Sequence, residues 1–143
     1  MNIIIVCHTE SGIVRNKQVI ATKDSVGVST GVRNLAKVAN KYGAKVTYAV
    51  CPEVAEYFPK NIDCEIGLHI HPGWEEFEKE GIYFMVGDTY LKERCDISAS
   101  STVLRDYNIL EQLELITTGG DCISEILGAV SYTHLTLPTT PYV

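Results

Sequence analysis

The sequence predicts an α/β fold built on a parallel sheet, and three observations carry that reading. Short, β-branched, mostly apolar segments recur at residues 2–7, 45–51 and 64–71. Parallel strands, covered on both faces, read as such runs rather than as strict alternation. A helical pattern separates the first two segments and a short helical turn the second two, which is the order of right-handed β–α–β crossovers. With 143 residues, 45% of them hydrophobic and 21% charged, the chain can bury the core of one domain.

Each element has its own warrant. Residues 2–7 are apolar on both faces, as a buried first strand should be. Residues 8–28, with Gly12, Gly27 and several polar residues, read as an irregular loop. Ser29 or Thr30 is placed to cap a helix running to about Tyr42, with Val32, Leu35, Ala36, Ala39 and Tyr42 on its apolar stripe. Gly43 is the expected stop. Residues 45–51 form a second strand. Pro52 opens a short helical turn through Phe58, and Pro59 ends it. Residues 64–71 form the third strand, and Trp74 to Lys79 reads as one or two acidic helical turns. Residues 81–103 carry a weaker pattern, with a hairpin-like excursion at Tyr83 to Val86. Asn108 caps a last helix, with Glu111 at the capping-box position and a stripe of Ile109, Leu113, Ile116, Ile123 and Leu127. Gly119-Gly120 in its middle costs about 1 kcal/mol per glycine relative to alanine, so a kink is expected there.

The stretch richest in chemistry is Glu65-Ile66-Gly67-Leu68-His69-Ile70-His71-Pro72. Side chains two apart on a strand share a side, so His69 and His71 project together at the strand's carboxyl end, where Pro72 stops the ladder. Two imidazoles there are half of a transition-metal site. A single histidine would more often be structural, donating to a carbonyl. In parallel sheets the chemistry gathers at the carboxyl rim. The strand order brings His8 and Glu10, after strand one, to the same rim as His69 and His71. Glu10 is the natural third ligand. Two imidazoles and a carboxylate leave a zinc-like divalent ion an open position for water, whose pKa it would lower. His8 is a fourth ligand, a base that takes the water's proton, or a group behind the ligands. Trp74 either lines a pocket wall, where a sugar ring stacks on an aromatic face, or belongs to the core. The acidic run after it is a solvated helix face.

Other signals are weaker. Ser11-Gly12 lacks the Lys-Ser/Thr of a phosphate loop. Cys7 and His8, adjacent on a strand, point apart and make no catalytic dyad. The five cysteines are odd in number and have no C-x-x-C spacing, which indicates reduced, mostly core-filling thiols, with Cys7, Cys51 and Cys64 at or beside strands. A net charge of −6 without a basic stripe argues against nucleic acid. The apolar start is too short for a signal sequence and lacks a basic flank, and no run is long enough to span a bilayer, so a cytoplasmic location away from membranes is expected. Residues 129–143 contain none of the chain's thirty Lys, Arg, Asp and Glu residues and follow no period. Val130 to Thr139 resembles a translated tagmentation adapter. On that reading residues 1–128 are the N-terminal part of a longer protein, and His134 in the tail is no ligand.

Taken together, the motifs resemble the polysaccharide deacetylase (NodB-homology) superfamily. Ile3 to Gly12 stands where that family has a strand followed by an acidic pair. Gly31 to Val50 resembles its next helix and strand, and Glu65 to Pro72 its histidine motif in the shorter His-x-His-Pro form. Leu104 to Gly128 resembles the long helix before its third motif. The resemblance implies a distorted parallel (β/α) barrel, here incomplete. It also implies metal-dependent hydrolysis of an N-acetyl group on an amino sugar, or of a related linear amide. It assigns Glu10, His69 and His71 to the metal, zinc foremost, and puts His8 where the family has its catalytic aspartate. The later arginine, aspartate and histidine motifs have no counterpart, so the chain alone is expected to be inactive. Two other functions remain open. An amidohydrolase also uses His-x-His, but on its first strand. A non-catalytic deacetylase-like protein would bind a glycan or a partner.

Overall fold

A computed structural model describes residues 4–10, 13–15, 18–19, 26–74, 83–84, 89–101 and 103–128. The expected acidic turn after Trp74 and the tail from residue 129 lie outside the described residues. In chain order the elements are β1 (Ile5–Thr9), β2 (Ile13–Arg15), β3 (Gln18–Val19), a turn of π-helix (Gly27–Gly31) leading into α1 (Val32–Lys41), and β4 (Val46–Val50). A 3₁₀ segment (Pro52–Tyr57), β5 (Glu65–Leu68), β6 (Tyr83–Phe84), α2 (Thr89–Arg94), a 3₁₀ turn (Leu104–Asp106) and α3 (Ile109–Leu127) follow.

The fold is mixed α/β. Strands β1, β4 and β5 form a parallel three-stranded sheet in that order. A second small sheet is antiparallel, with β2 between β3 and β6. The stretch expected to be irregular therefore contains two short strands, and the excursion at Tyr83 pairs with one of them. No helix among the described residues is long and apolar enough to cross a membrane.

The parallel sheet is packed from one side. Alternation turns Val46, Tyr48 and Val50 of β4 to the same face, and all three are buried. They join Val32 and Ala39 of α1, Val54 and Ala55 of the 3₁₀ segment, and Cys122 and Ile123 of α3 in one cluster. The Tyr48 hydroxyl donates to the Val32 carbonyl at 2.9 Å, so a buried phenol is satisfied where the helix crosses the strand. Both crossover segments thus lie on the same face. Trp74, Leu91, Cys95, Ile97, Ala99, Tyr107 and Leu115 make a second cluster.

Several boundaries differ from expectation. Val26 is already helical, and Ser29 and Thr30 are wound into the π-turn without capping α1. Tyr42 is exposed because the backbone leaves the helix there, and Gly43, at φ +69°, ends it as expected. The capping box at Asn108 is complete: its side-chain oxygen accepts from Leu110 and Glu111 N–H, and Glu111 accepts from Asn108 N–H at 2.9 Å. The buried face of α3 shares Ile123 and the core-packed Leu127 with the expected stripe but departs from it in the first half of the helix. Leu115, Gly119, Cys122 and Ile123 face inward, whereas Ile109 is 75% and Leu113 60% exposed. Gly119 explains the offset: a Cβ there would lie 3.0 Å from Leu68 Cδ1 and 3.4 Å from Pro52 Cγ. The glycine lets α3 approach β5 closely, and α3 carries through Gly119-Gly120 as one helix.

Candidate metal centre

The carboxyl rim of the parallel sheet is built from one register row. Thr9, Val50 and Leu68 are aligned across β1, β4 and β5. Each is the last residue of its strand, so the next residues, Glu10, Cys51 and His69, also fall side by side. The ladder persists into that row: Cys51 N–H donates to Thr9 O at 2.9 Å, and His69 N–H to Val50 O at 3.0 Å. Neighbouring strands lie about 4.8 Å apart and matched residues share a face. Glu10, Cys51 and His69 accordingly offer three ligand atoms, all within 4.8 Å of one another. Among the described residues this is the group of three or more such side chains that could hold a metal ion.

The row before it uses the same alternation. Two residues earlier stand His8, Ala49 and Gly67. The His8 ring packs against His69 with centroids 4.3 Å apart. Beside it the small residues leave room: a Cβ on Gly67 would meet nothing within 4 Å. Beyond the row, Glu53 lies in the 3₁₀ segment and His71 two residues past His69. The His71 ring lies 4.4 Å from that of His69 in an edge-on arrangement.

Electrostatics tie these residues together. Glu10 Oε2 is 2.8 Å from His71 Nε2 and 3.6 Å from His69 Nε2. The first is a charge-assisted hydrogen bond; the second is too long to be one. His69 and His71 together hold the Glu10 carboxyl well below the usual carboxylate range, against an opposing push from burial. Glu10 in turn raises the pKa of His71, and burial lowers it by less. Burial pushes the Cys51 thiol up, with Glu53 adding to the effect. Burial also lifts the Glu53 carboxyl to about 7.

His69 Nε2 carries the most weight. It is buried and has no hydrogen-bond partner. Leaving such a group unsatisfied costs about 1–3 kcal/mol, and a metal ion is one of the few things that would repay it. The donor set of imidazole, carboxylate and thiol suits such an ion.

The structure brings His8, Glu10, His69 and His71 together at one rim, as expected. It extends β1 two residues, so His8 lies within the strand, and it ends β5 at Leu68, so both rim histidines lie past the strand end, with only the His69 N–H still bonded to β4. Trp74 is the exception. At 4% exposed it sits in the second cluster with Leu91 and Leu115, and it offers no face for a sugar to stack on. Cys51 and Glu53 were missed. Cys51 is buried in the core cluster beside Val50 and Val54, as expected of a core-filling thiol, and its sulfur also lies within 4.8 Å of ligand atoms of Glu10 and His69, a proximity set by long-range register that no local pattern encodes. Comparison with known proteins returns no match to this chain, neither a family model, nor a curated protein, nor a solved structure.

Proposed function

We propose that this chain carries the metal-binding rim of a metal-dependent hydrolase. Its bond is a non-peptide carbon–nitrogen bond, foremost the N-acetyl of an amino sugar. The orphaned, buried His69 Nε2 beside the Glu10 carboxylate carries this reading. Glu10 and His69 hold the ion, a divalent transition metal with zinc foremost. When bound, it supplies a Lewis acid that acidifies water and polarises a carbonyl. His71 keeps Glu10 ionised and oriented through its 2.8 Å contact. His8, exposed and with its ring tilted against that of His69, stands in the base's place, where an imidazole can accept a proton and return it.

The incomplete barrel belongs to the same proposal. Its support is that both crossovers pack on one face of the parallel sheet, while the other face carries Ala49 and Gly67 beside the histidines. The pair of histidines also follows the third parallel strand in the chain, which favours the deacetylase layout over the amidohydrolase one.

Two measurements test the proposal. Dialysis of the chain against zinc or cobalt should leave one equivalent bound, and a His69→Ala variant should lose it. Full retention of metal in that variant would reject the site. The uninterrupted reading frame that carries this chain should then release acetate from N-acetylated amino sugars or hydrolyse linear amides, and lose activity on chelation. A metal-loaded protein that hydrolyses nothing in such a panel would favour the non-catalytic reading.

A further inference from the structure

We infer that Cys51 is the third protein ligand of the ion and that His71 is not: the site is a carboxylate–thiolate–imidazole set from Glu10, Cys51 and His69, with His71 positioning Glu10 from outside it. This rests on the metal-binding reading above and specifies the donor set that reading leaves open.

Geometry favours Cys51 over His71. Glu10, Cys51 and His69 each stand one residue past an aligned strand end, and backbone hydrogen bonds hold that row in register. Their ligand atoms lie within 4.8 Å of one another. Around a tetrahedral ion with bonds of about 2.0–2.3 Å, donors stand roughly 3.3–3.8 Å apart, so side-chain adjustments of about 1 Å close the site. His71 is two residues past the row and already uses Nε2 on Glu10 Oε2 at 2.8 Å. A ligating carboxylate is commonly held this way by an outer group. His69 Nε2 has no such engagement. The Cys51 side chain is completely buried, which suits a ligand that water must not displace.

The donor set carries a choice of metal. A thiolate selects zinc, cobalt and other thiophilic ions over magnesium, calcium and manganese, which take oxygen ligands. On binding, the thiol proton leaves to solvent and the sulfur bonds the ion as thiolate. No electron is transferred.

Cobalt(II) reports the thiolate directly. Titration of the intact chain should produce a near-ultraviolet sulfur-to-cobalt charge-transfer band at one equivalent. X-ray absorption of the zinc-loaded chain should show a sulfur neighbour at about 2.3 Å. Cys51→Ser should abolish the band and weaken cobalt binding at least tenfold. His71→Ala should keep the band and lose about 10–100-fold in affinity, the usual effect of removing an outer partner. The absorption experiment needs no variant, so it decides the question even if Cys51→Ser fails to fold. One equivalent of metal bound without a sulfur neighbour, or loss of the band in His71→Ala with retention in Cys51→Ser, overturns this inference and leaves the metal site standing. No cobalt or zinc uptake by the intact chain overturns both.

Discussion

On one face of the β1–β4–β5 sheet, Val46, Tyr48 and Val50 lie buried against α1 and the Pro52–Tyr57 segment. On the other, Val6 is 51% exposed, and His8, Ala49 and Gly67 form a row beneath Glu10, Cys51 and His69. The strands are the same; only the parity of the residue differs. The packed face is large and mostly apolar, and its buried Tyr48 hydroxyl is satisfied by the Val32 carbonyl. The open face is small, polar and in one place unsatisfied, at His69 Nε2. Stability resides on the first face, and the second is left free to hold reactive groups.

The comparison can be broken most directly on the packed face. Tyr48→Ala removes a fully buried ring and the hydrogen bond to Val32, and should cost about 3–5 kcal/mol in denaturant unfolding. A loss under 1 kcal/mol would mean that this face does not anchor the fold. Gly119→Val probes the same side from α3. Its side chain would press on Leu68 and Pro52, and should cost about 1–3 kcal/mol by overpacking. A neutral result would show that α3 can stand away from β5.

On the open face the expected effects are smaller and depend on pH. In the metal-free chain, Glu10 is depressed below its ordinary value of 4.5, so its contribution is present above pH 4.5 and fades as pH falls further. His71 is raised above 6.5, so its contribution is complete below pH 6.5 and is lost as pH climbs through its raised value. The pair should therefore add most between pH 4.5 and 6.5, by about 1 kcal/mol, since both groups are partly exposed. Comparing thermal unfolding of wild type and His71→Gln across pH 4–9 would check this, and an unchanged difference would separate the pair from stability. The smallest effect is expected for Gly67→Ala. A Cβ there meets nothing within 4 Å, so stability should move by no more than about 1 kcal/mol. A large loss would mean that the open face is packed after all.

The sequence made some of this legible. Chemical signals within a few residues worked: the Asn108–Glu111 box, the Gly43 stop, and the apolar run of β4. The rim was legible too, since alternation and strand order sufficed to group His8, Glu10, His69 and His71. Long-range pairing was not. β2 and β6 are three and two residues long and pair with each other across about seventy positions, a partnership no local pattern encodes. The inward face of α3 was read correctly at Ile123 and Leu127 and missed nearer its start, because its close approach to β5 is made by a glycine while large apolar residues such as Ile109 stay exposed. Trp74 and Cys51 were hard to place for a related reason. A tryptophan packs a core as readily as it lines a cleft, and a thiol that fills the core can also lie within reach of neighbouring ligand atoms, which only the strand register reveals.

The three donors at the rim come from positions 10, 51 and 69, on strands that the chain joins through long intervening segments. An ion shared among them would act as a reversible cross-link that staples the open end of the sheet. At a hundred times its Kd it would add about 2.7 kcal/mol to every opening that parts those strands. Amide hydrogen exchange at Thr9, Val50 and Leu68 would then slow in concert when metal is added and recover in concert when it is chelated. Three distant stretches of chain would report the occupancy of one site.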